Sequence, residues 1–470
     1  MITWSTSLVS LVEIAERART GPKVGENEWN LNLFRNMERL SKEHGLEDLG
    51  SETYLEIDHE YADNVFQAAI SFLVDVGIFV IPYNRVLRFS ESEVKEAIRS
   101  APGEVTVGEG RDARRIVKRE VNDSRPVHVW SAMHAPYTED LHHLAPMNFA
   151  MIPRMDVIDG FNSTSFDGYE VYSPPIEAYA AMRELAYMRE GVRKAGRPGM
   201  AIQYYPINTT ASTMLAPLDP ERGLRRTDGV LVRTLPDLKV QVDMLTACMV
   251  YENYGCYRFI GGSSQIGGFC GGPMGAIMEA IDIVVNGPLI FHGYLGTTGV
   301  GYLPYASEAV SKISPHPVWP SAVDHHALCR NTRIIRFGGA AGWSGGAWGI
   351  GSDMHLRSIA LDAMSATVLG SGLGIRRAAR PQPNEGQSPL EIEWSIEVSD
   401  ATIRAGMGLE EVGEVMKSVN KRVEGTPVPR TEKKKVTEVY DLVRHRPTKE
   451  YQEVYEKVKK DYTELGLVFE

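Results

Sequence analysis

From about residue 125 the chain alternates between two textures. Short β-branched and aromatic runs at 127–131, 156–160, 199–204, 229–234, 256–261, 288–294, 333–337 and 372–376 are separated by longer stretches with helical spacing, such as 176–194, 238–254, 273–285 and 354–368. Parallel neighbours need a crossover of helical length, so this alternation predicts a parallel sheet with helices on its outside. Eight runs spaced about 30–45 residues apart predict an α/β fold, a closed (β/α)8 TIM barrel. The other architecture open to the pattern is a doubly wound open sheet, which would carry a nucleotide fingerprint. Gly108-Glu109-Gly110 followed by Ala113 has only a superficial likeness to one and sits among charged residues.

The flanks read differently. Residues 1–124 form a mostly helical N-terminal extension, with Gly45 and Gly77 as stops and Ser90 as a cap for a helix near 94–98. The barrel is assigned to 125–378 and a C-terminal helical tail to 379–470, in which 448–465 is amphipathic and the apolar end is expected to dock. Residues 205–228 and 295–332 read as long loops, which in a compact domain serve as lids, binding loops or oligomer contacts.

With 43% hydrophobic and 24% charged residues the chain has ample material for a core. Its net charge is −11 and its one basic run is Lys433-Lys434-Lys435, so nucleic acid is not an expected partner. Cys248, Cys256, Cys270 and Cys329 form no CxxC pair and are expected to be reduced thiols of a cytoplasmic protein. The N-terminus lacks a basic region followed by an apolar stretch. No run is expected to reach the roughly 18–20 apolar residues of a membrane span, so no membrane association is expected.

Barrel enzymes place their chemistry at the C-terminal ends of strands. On this reading the ring comprises Trp130, Ser131, Phe161, Asn162, Gln203, Tyr204, Thr234, residues 261–264, His292, Tyr294, residues 338–344, and Arg376 or Arg377. Acidic groups are few, which argues against paired-carboxylate glycoside hydrolysis. The glycine-rich run 338–351 carries Trp343 and Trp348, whose faces attract cations; core packing is the alternative role. It lacks the lysine of a phosphate loop. His142-His143 and Asp324-His325-His326 have poor ligand spacing on a helix and read as solvated or hydrogen-bonded surface, so no metal site is expected. His292 is open to two readings, a buried structural histidine or a general acid or base. No GxSxG elbow occurs.

The segment Ala195-Gly196-Arg197-Pro198-Gly199-Met200-Ala201-Ile202 closely resembles the active-site approach of archaeal monomethylamine methyltransferases. Further co-linear likenesses cover nearly the whole chain: 26–46 with Trp29, Gly77-Ile78 with Arg85-Val86, 108–119, Pro136 with Glu139-Asp140, 266–272, and the C-terminal Pro447-Thr448-Lys449-Glu450-Tyr451 through Phe469. The resemblance implies a barrel that presents a methyl donor to a separate corrinoid protein, whose cobalt(I) attacks the methyl carbon. It implies no tightly bound cofactor and a homo-oligomer. In that family the position after Ile202 is pyrrolysine, whose ring imine captures the amine. Here it is Gln203, whose planar amide has no electrophilic C=N.

Other family positions depart as well. Two glutamates near the pyrrolysine fall on Leu231 and Gly261, and a glutamine and a tyrosine fall near Trp343 and Gly345. This reads as a repurposed pocket; the other origin for Gln203, an amber codon read as glutamine, leaves the changed neighbours unexplained. Gln203 and His292 are the expected catalytic residues. Tyr204, Tyr205, Asn162, Tyr294, Trp343 and Trp348 are expected to bind substrate, as an aromatic cage for a quaternary amine or another methylated amine. Arg377, or Arg376, would meet a substrate carboxylate. Competing functions are a non-catalytic homologue that binds the corrinoid protein or a small ligand, and a barrel enzyme of other chemistry.

Overall fold

The computed structural model describes residues 9–132, 136–297, 299–302, 312, 317–340, 348–374, 383–428 and 433–470. Seven parallel strands lie side by side in chain order: β1 (Trp130–Ala132), β2 (Val157–Asp159), β3 (Ala201–Tyr204), β4 (Gly229–Val232), β5 (Tyr257–Gly261), β6 (Leu295–Thr297) and β7 (Ile335–Arg336). Gly372 and Leu373 close the ring, pairing in parallel with Phe337 on one side and Val129 on the other. The predicted α/β barrel is therefore present.

One predicted strand is misplaced. The run 288–294 is a π-helical turn, Gly287–Phe291, that extends the helix Pro273–Asn286, and the strand begins at Leu295. A short apolar run does not distinguish a buried strand from a buried helix end. The combined stretch Pro273–Phe291 spans 19 residues with mean hydropathy 1.5, and 94% of its most apolar window is buried in the fold. This corrects the expectation that no run has the length and composition of a membrane span. The helices His59–Val76 and Trp319–Asn331 cover it. The second of these was also missed, lying within 295–332 where only a loop was expected.

Side chains of a barrel strand alternate between lumen and helix layer. Trp130, Phe259 and Phe337 identify the inner face. Their ring centroids lie 4.8 Å (Trp130–Phe259), 5.2 Å (Trp130–Phe337) and 5.7 Å (Phe259–Phe337) apart. Residues from such separated strands meet only across the lumen. Val157, Ala201, Leu231, Leu295 and Ile335 share this inner cluster. Ile158, Ile202, Val230, Val232 and Ile260 face outward into the main core.

The N-terminal end of the barrel is sealed by a hairpin, Glu104–Val107 paired with Arg114–Val117, whose Val105, Val107 and Ile116 join the inner cluster. Gly108 N–H donates to the Thr227 carbonyl at 3.0 Å and Glu109 N–H to that of Gly199 at 2.8 Å, both just ahead of strands. Gly108 has φ 73°, and a Cβ there would lie 2.8 Å from Gly199 O. The apparent dinucleotide fingerprint is thus a close backbone approach.

Helices Leu11–Thr20, Glu26–Glu43, His59–Val76 and Glu91–Arg99 precede the hairpin. Asp58 caps the third, and Ser90 with Glu93 forms a capping box on the fourth. Strand Ile78–Ile81 pairs in parallel with Lys239–Gln241, and Trp29 Nε1 donates to Asp237 O at 3.0 Å, tying this part to the connection after β4. At the other end the helices Pro389–Arg404, Leu409–Val423 and Lys449–Glu464 follow the barrel. Phe469 stacks on Trp394 at 5.5 Å, and Leu467 is buried, so the apolar terminus docks.

Candidate active site

Alternation along β3 sends Ala201 and Gln203 into the lumen and Ile202 and Tyr204 away from it. Gln203 occupies the C-terminal half of the strand and is fully buried. Its neighbour in register on β2 is Asp159, also fully buried. Gln203 Nε2 donates to Asp159 Oδ2 at 3.4 Å, while Gly160 N–H donates to Asp159 Oδ1 at 2.8 Å. The amide nitrogen thus faces the Asp159 carboxyl and the carbonyl oxygen is the free end. Gln203 Oε1 has no partner.

Trp130 stands beside it. A Cβ on Gly229 would lie 3.5 Å from the indole Cζ2 and 3.9 Å from Gln203 Cβ and Cγ, so the glycine lets both side chains share the lumen. Trp130 Nε1 is also buried without a partner. Buried polar atoms are nearly always paired; two unpaired ones side by side are what a polar ligand would engage.

One step further toward the C-terminal end, Tyr205 packs against the inner cluster and its carbonyl accepts from Asn162 Nδ2 at 3.0 Å. Arg233 follows Leu231 by two residues and holds its guanidinium 6.0 Å from the centre of the Tyr205 ring. Leu231 Cδ1 lies 2.6 Å from where a Cβ on Gly261 would be, so an apolar side chain fills the space over that glycine. Gln203, Asn162 and Tyr205 are thus brought together with Asp159 and Arg233, two residues that sequence reading missed. Asp159 is the last residue of β2, two before Phe161, and strand alternation with Val157 was the signal that it faces inward.

Other expected site residues lie elsewhere. Tyr204 points outward, its hydroxyl donating to Thr213 O at 3.1 Å. His292 precedes β6, at the sealed end, with a left-handed backbone (φ 51°). Its Nε2 lies 3.1 Å from Val9 O, its Nδ1 is 3.6 Å from Glu252 Oε1, and its carbonyl accepts from Arg258. Tyr294 is at the same end, where burial pushes its phenol up and Ser100 is a hydrogen-bond neighbour. The strand misassignment at 288–294 is what had moved these two to the open end. Trp348 belongs to the outer core. Trp343, Arg376 and Arg377 lie outside the described residues.

The histidine pairs are buried, correcting the surface reading for His142, His325 and His326. His142 Nε2 lies 2.9 Å from Tyr137 O and 3.2 Å from Ser163 Oγ, His325 Nδ1 2.9 Å from Ser371 Oγ, and His326 Nε2 2.9 Å from His59 Nδ1. Burial lowers the His142 imidazole and, with His59 alongside, lowers His326 to about 4.

Residues 9–467 match the family model described as monomethylamine methyltransferase MtmB. The chain belongs to the monomethylamine methyltransferase family. Monomethylamine methyltransferase MtmB2 of Methanosarcina acetivorans is 25% identical to it, with 97% of each chain covered. MtmB of Methanosarcina mazei is 24% identical over the same shares. A crystal structure of Methanosarcina barkeri MtmB superposes with TM-score 0.88 at 22% identity, covering 99% of this chain and 100% of that one. A structure of a hydroxylamine MtmB complex matches equally. Membership in the monomethylamine methyltransferase family makes this chain a methyltransferase, and the shared barrel agrees with the strand order above.

Proposed function

We propose that the chain transfers a methyl group from a small methylated amine to the cobalt of a separate corrinoid protein, with Gln203 in the place of the family's imine-bearing residue. The observation that carries this reading is the Gln203 side chain itself, buried in the lumen with Nε2 turned to Asp159 and Oε1 unpaired. An amide oxygen is an acceptor. It orients a substrate and offers no electrophile to an amine. Leu231 over Gly261 supports the same conclusion, since the positions that the resemblance gives to two glutamates hold no carboxylate.

The substrate must then bring its own activation. A fully alkylated ammonium does so, because the electron pair of the breaking N–CH3 bond returns to nitrogen and leaves a neutral amine. The corrinoid, when docked, supplies the nucleophile. Gln203 and Trp130 would position the substrate, with Asn162 and Tyr205 beside them; Trp343 and Arg377 remain assigned to substrate binding from sequence. The four buried free thiols support a cytoplasmic location, and the family resemblance supports a homo-oligomer, which sedimentation would test.

The test is incubation with reduced corrinoid protein and a panel of mono-, di-, tri- and tetraalkylated amines, followed by corrinoid absorbance. Methylation by a tetraalkylated compound is expected; no methylation by any compound overturns the reading. Hydroxylamine provides an independent check. The intact mass should be unchanged after treatment, whereas an adduct, or an in-frame TAG at codon 203, would mean that position 203 is not an encoded glutamine.

A further inference from the structure

We infer that the mouth of the barrel takes a methylated amine that also carries a carboxylate, with Arg233 as the anion-binding residue. This deepens the methyl-transfer reading of the Gln203 site and rests on it. Arg233 is the first residue past the end of β4 and Tyr205 the first past the end of β3; continuing each strand's alternation puts them on the side of Leu231 and Gln203. Gln203 is in register with Gly229, so the Arg233 backbone lies two inward steps, about 13 Å along the strand, beyond the glutamine, and its guanidinium sits 6.0 Å from the ring of Tyr205, the residue one step above Gln203.

Other arginines of the barrel wall are neutralised. Arg189 pairs with Asp228, Arg258 with Glu252 and Arg336 with Asp324. Arg233 is half-buried, and among the described residues no carboxylate or other acceptor engages it. Steadied by an aromatic face, its planar fork of donors is preorganised for a carboxylate. The second pole lies below. Gln203 Oε1, fully buried and unpaired, is an acceptor; it repels an anion and suits the electropositive groups around a substituted nitrogen. A small zwitterion would engage both, its carboxylate turned to the guanidinium and its nitrogen to the glutamine oxygen. A simple alkylamine would leave the guanidinium unused.

Calorimetric titration of the intact chain with matched pairs tests this. The pairs are N-methylglycine against dimethylammonium, N,N-dimethylglycine against trimethylammonium, and N,N,N-trimethylglycine against tetramethylammonium. In at least one pair the carboxylate-bearing member should bind about ten-fold tighter or more, as expected for a charge-assisted contact. Arg233→Gln, shown to be folded by circular dichroism, should bring that pair to within about three-fold, and Arg233→Lys should keep part of the margin. Equal affinities within every pair, no binding of any carboxylate compound, or a margin that survives Arg233→Gln overturns the inference. So does a variant that weakens only the affinity for the corrinoid protein, since that makes Arg233 a protein-docking residue. No corrinoid is present in the titration. Failure of methyl transfer with the binding margin intact would therefore sink the proposed reaction and leave the anion site standing.

Discussion

At the sealed end of the barrel buried charges are paired; at the open end two polar atoms of the lumen, on Gln203 and Trp130, are left without partners. Below, Arg189 meets Asp228 with both side chains 1% exposed, and also donates to the Met200 and Gly223 carbonyls at 3.2 and 3.1 Å. Arg225 lies 3.1 Å from Glu109, and Glu252 is shared between Arg258 and His292. Above, Gln203 Oε1 and Trp130 Nε1 are buried and unpaired, and Arg233 rests on a ring. Each unpaired buried polar atom costs about 1–3 kcal/mol, which a ligand held in the lumen would offset at Gln203 and Trp130. Unpaired buried polar atoms also occur away from the lumen, at Arg189 Nε, Asp282 and Trp319 Nε1 among others, so it is the position of Gln203 and Trp130 inside the barrel, together with the missing partner, that sets them apart.

The sealed end gives the sharpest way to break the comparison. Burial pushes the Asp228 carboxyl up and the Arg189 guanidinium down, so each charge depends on the other. Arg189→Leu should cost about 3–5 kcal/mol, the usual result of stranding one member of a buried pair, read from the urea midpoint at constant slope. A loss below about 1 kcal/mol would show that the sealed end is not the stabilising one.

A buried carboxyl behind the open end comes next. Glu184 Oε1 accepts from Ser163 N–H at 2.6 Å, yet burial pushes its carboxyl up to about 8. The folded state thus holds a proton that the unfolded state releases near pH 4.5, and the unfolded state is favoured as pH rises. Stability should fall between about pH 4.5 and 8 and level off above that. Glu184→Gln should abolish this slope and leave the variant up to about 4 kcal/mol more stable than the parent at pH 8. Urea titrations of both proteins at pH 5 and pH 8 decide it; a constant difference between the two pH values would mean that Glu184 is ionised in the fold.

Much of this was legible in the sequence. The barrel follows from alternation, because seven of the β-rich runs coincide with the ring and only the one at 288–294 does not. There a fully buried helix and its π turn presented an unbroken apolar surface with no period to read. That single misreading carried His292 and Tyr294 to the wrong end. Gln203 was legible because strand alternation and family resemblance converged on it. Asp159 and Arg233 were not, since their importance lies in which neighbours lack partners, and a one-dimensional pattern does not contain that. The buried histidines are a milder case: helix Trp319–Asn331 is covered on faces that its weak amphipathicity did not announce.

The smallest expected change in stability sharpens the comparison most. Gln203→Met keeps the volume of the side chain and removes the amide. Asp159 retains the Gly160 N–H, and the orphaned Oε1 disappears, so the urea midpoint should move by no more than about 1 kcal/mol. Methyl transfer should nevertheless fall by about 10–100-fold, the equivalent of about 1.4–2.7 kcal/mol of lost transition-state binding, measured as the initial rate of corrinoid methylation with whichever amine the panel identifies. The opposite pattern, a loss of more than about 2 kcal/mol with transfer intact, would reassign Gln203. It would then be a structural amide serving Asp159, and the unpaired oxygen at the open end would have no bearing on catalysis.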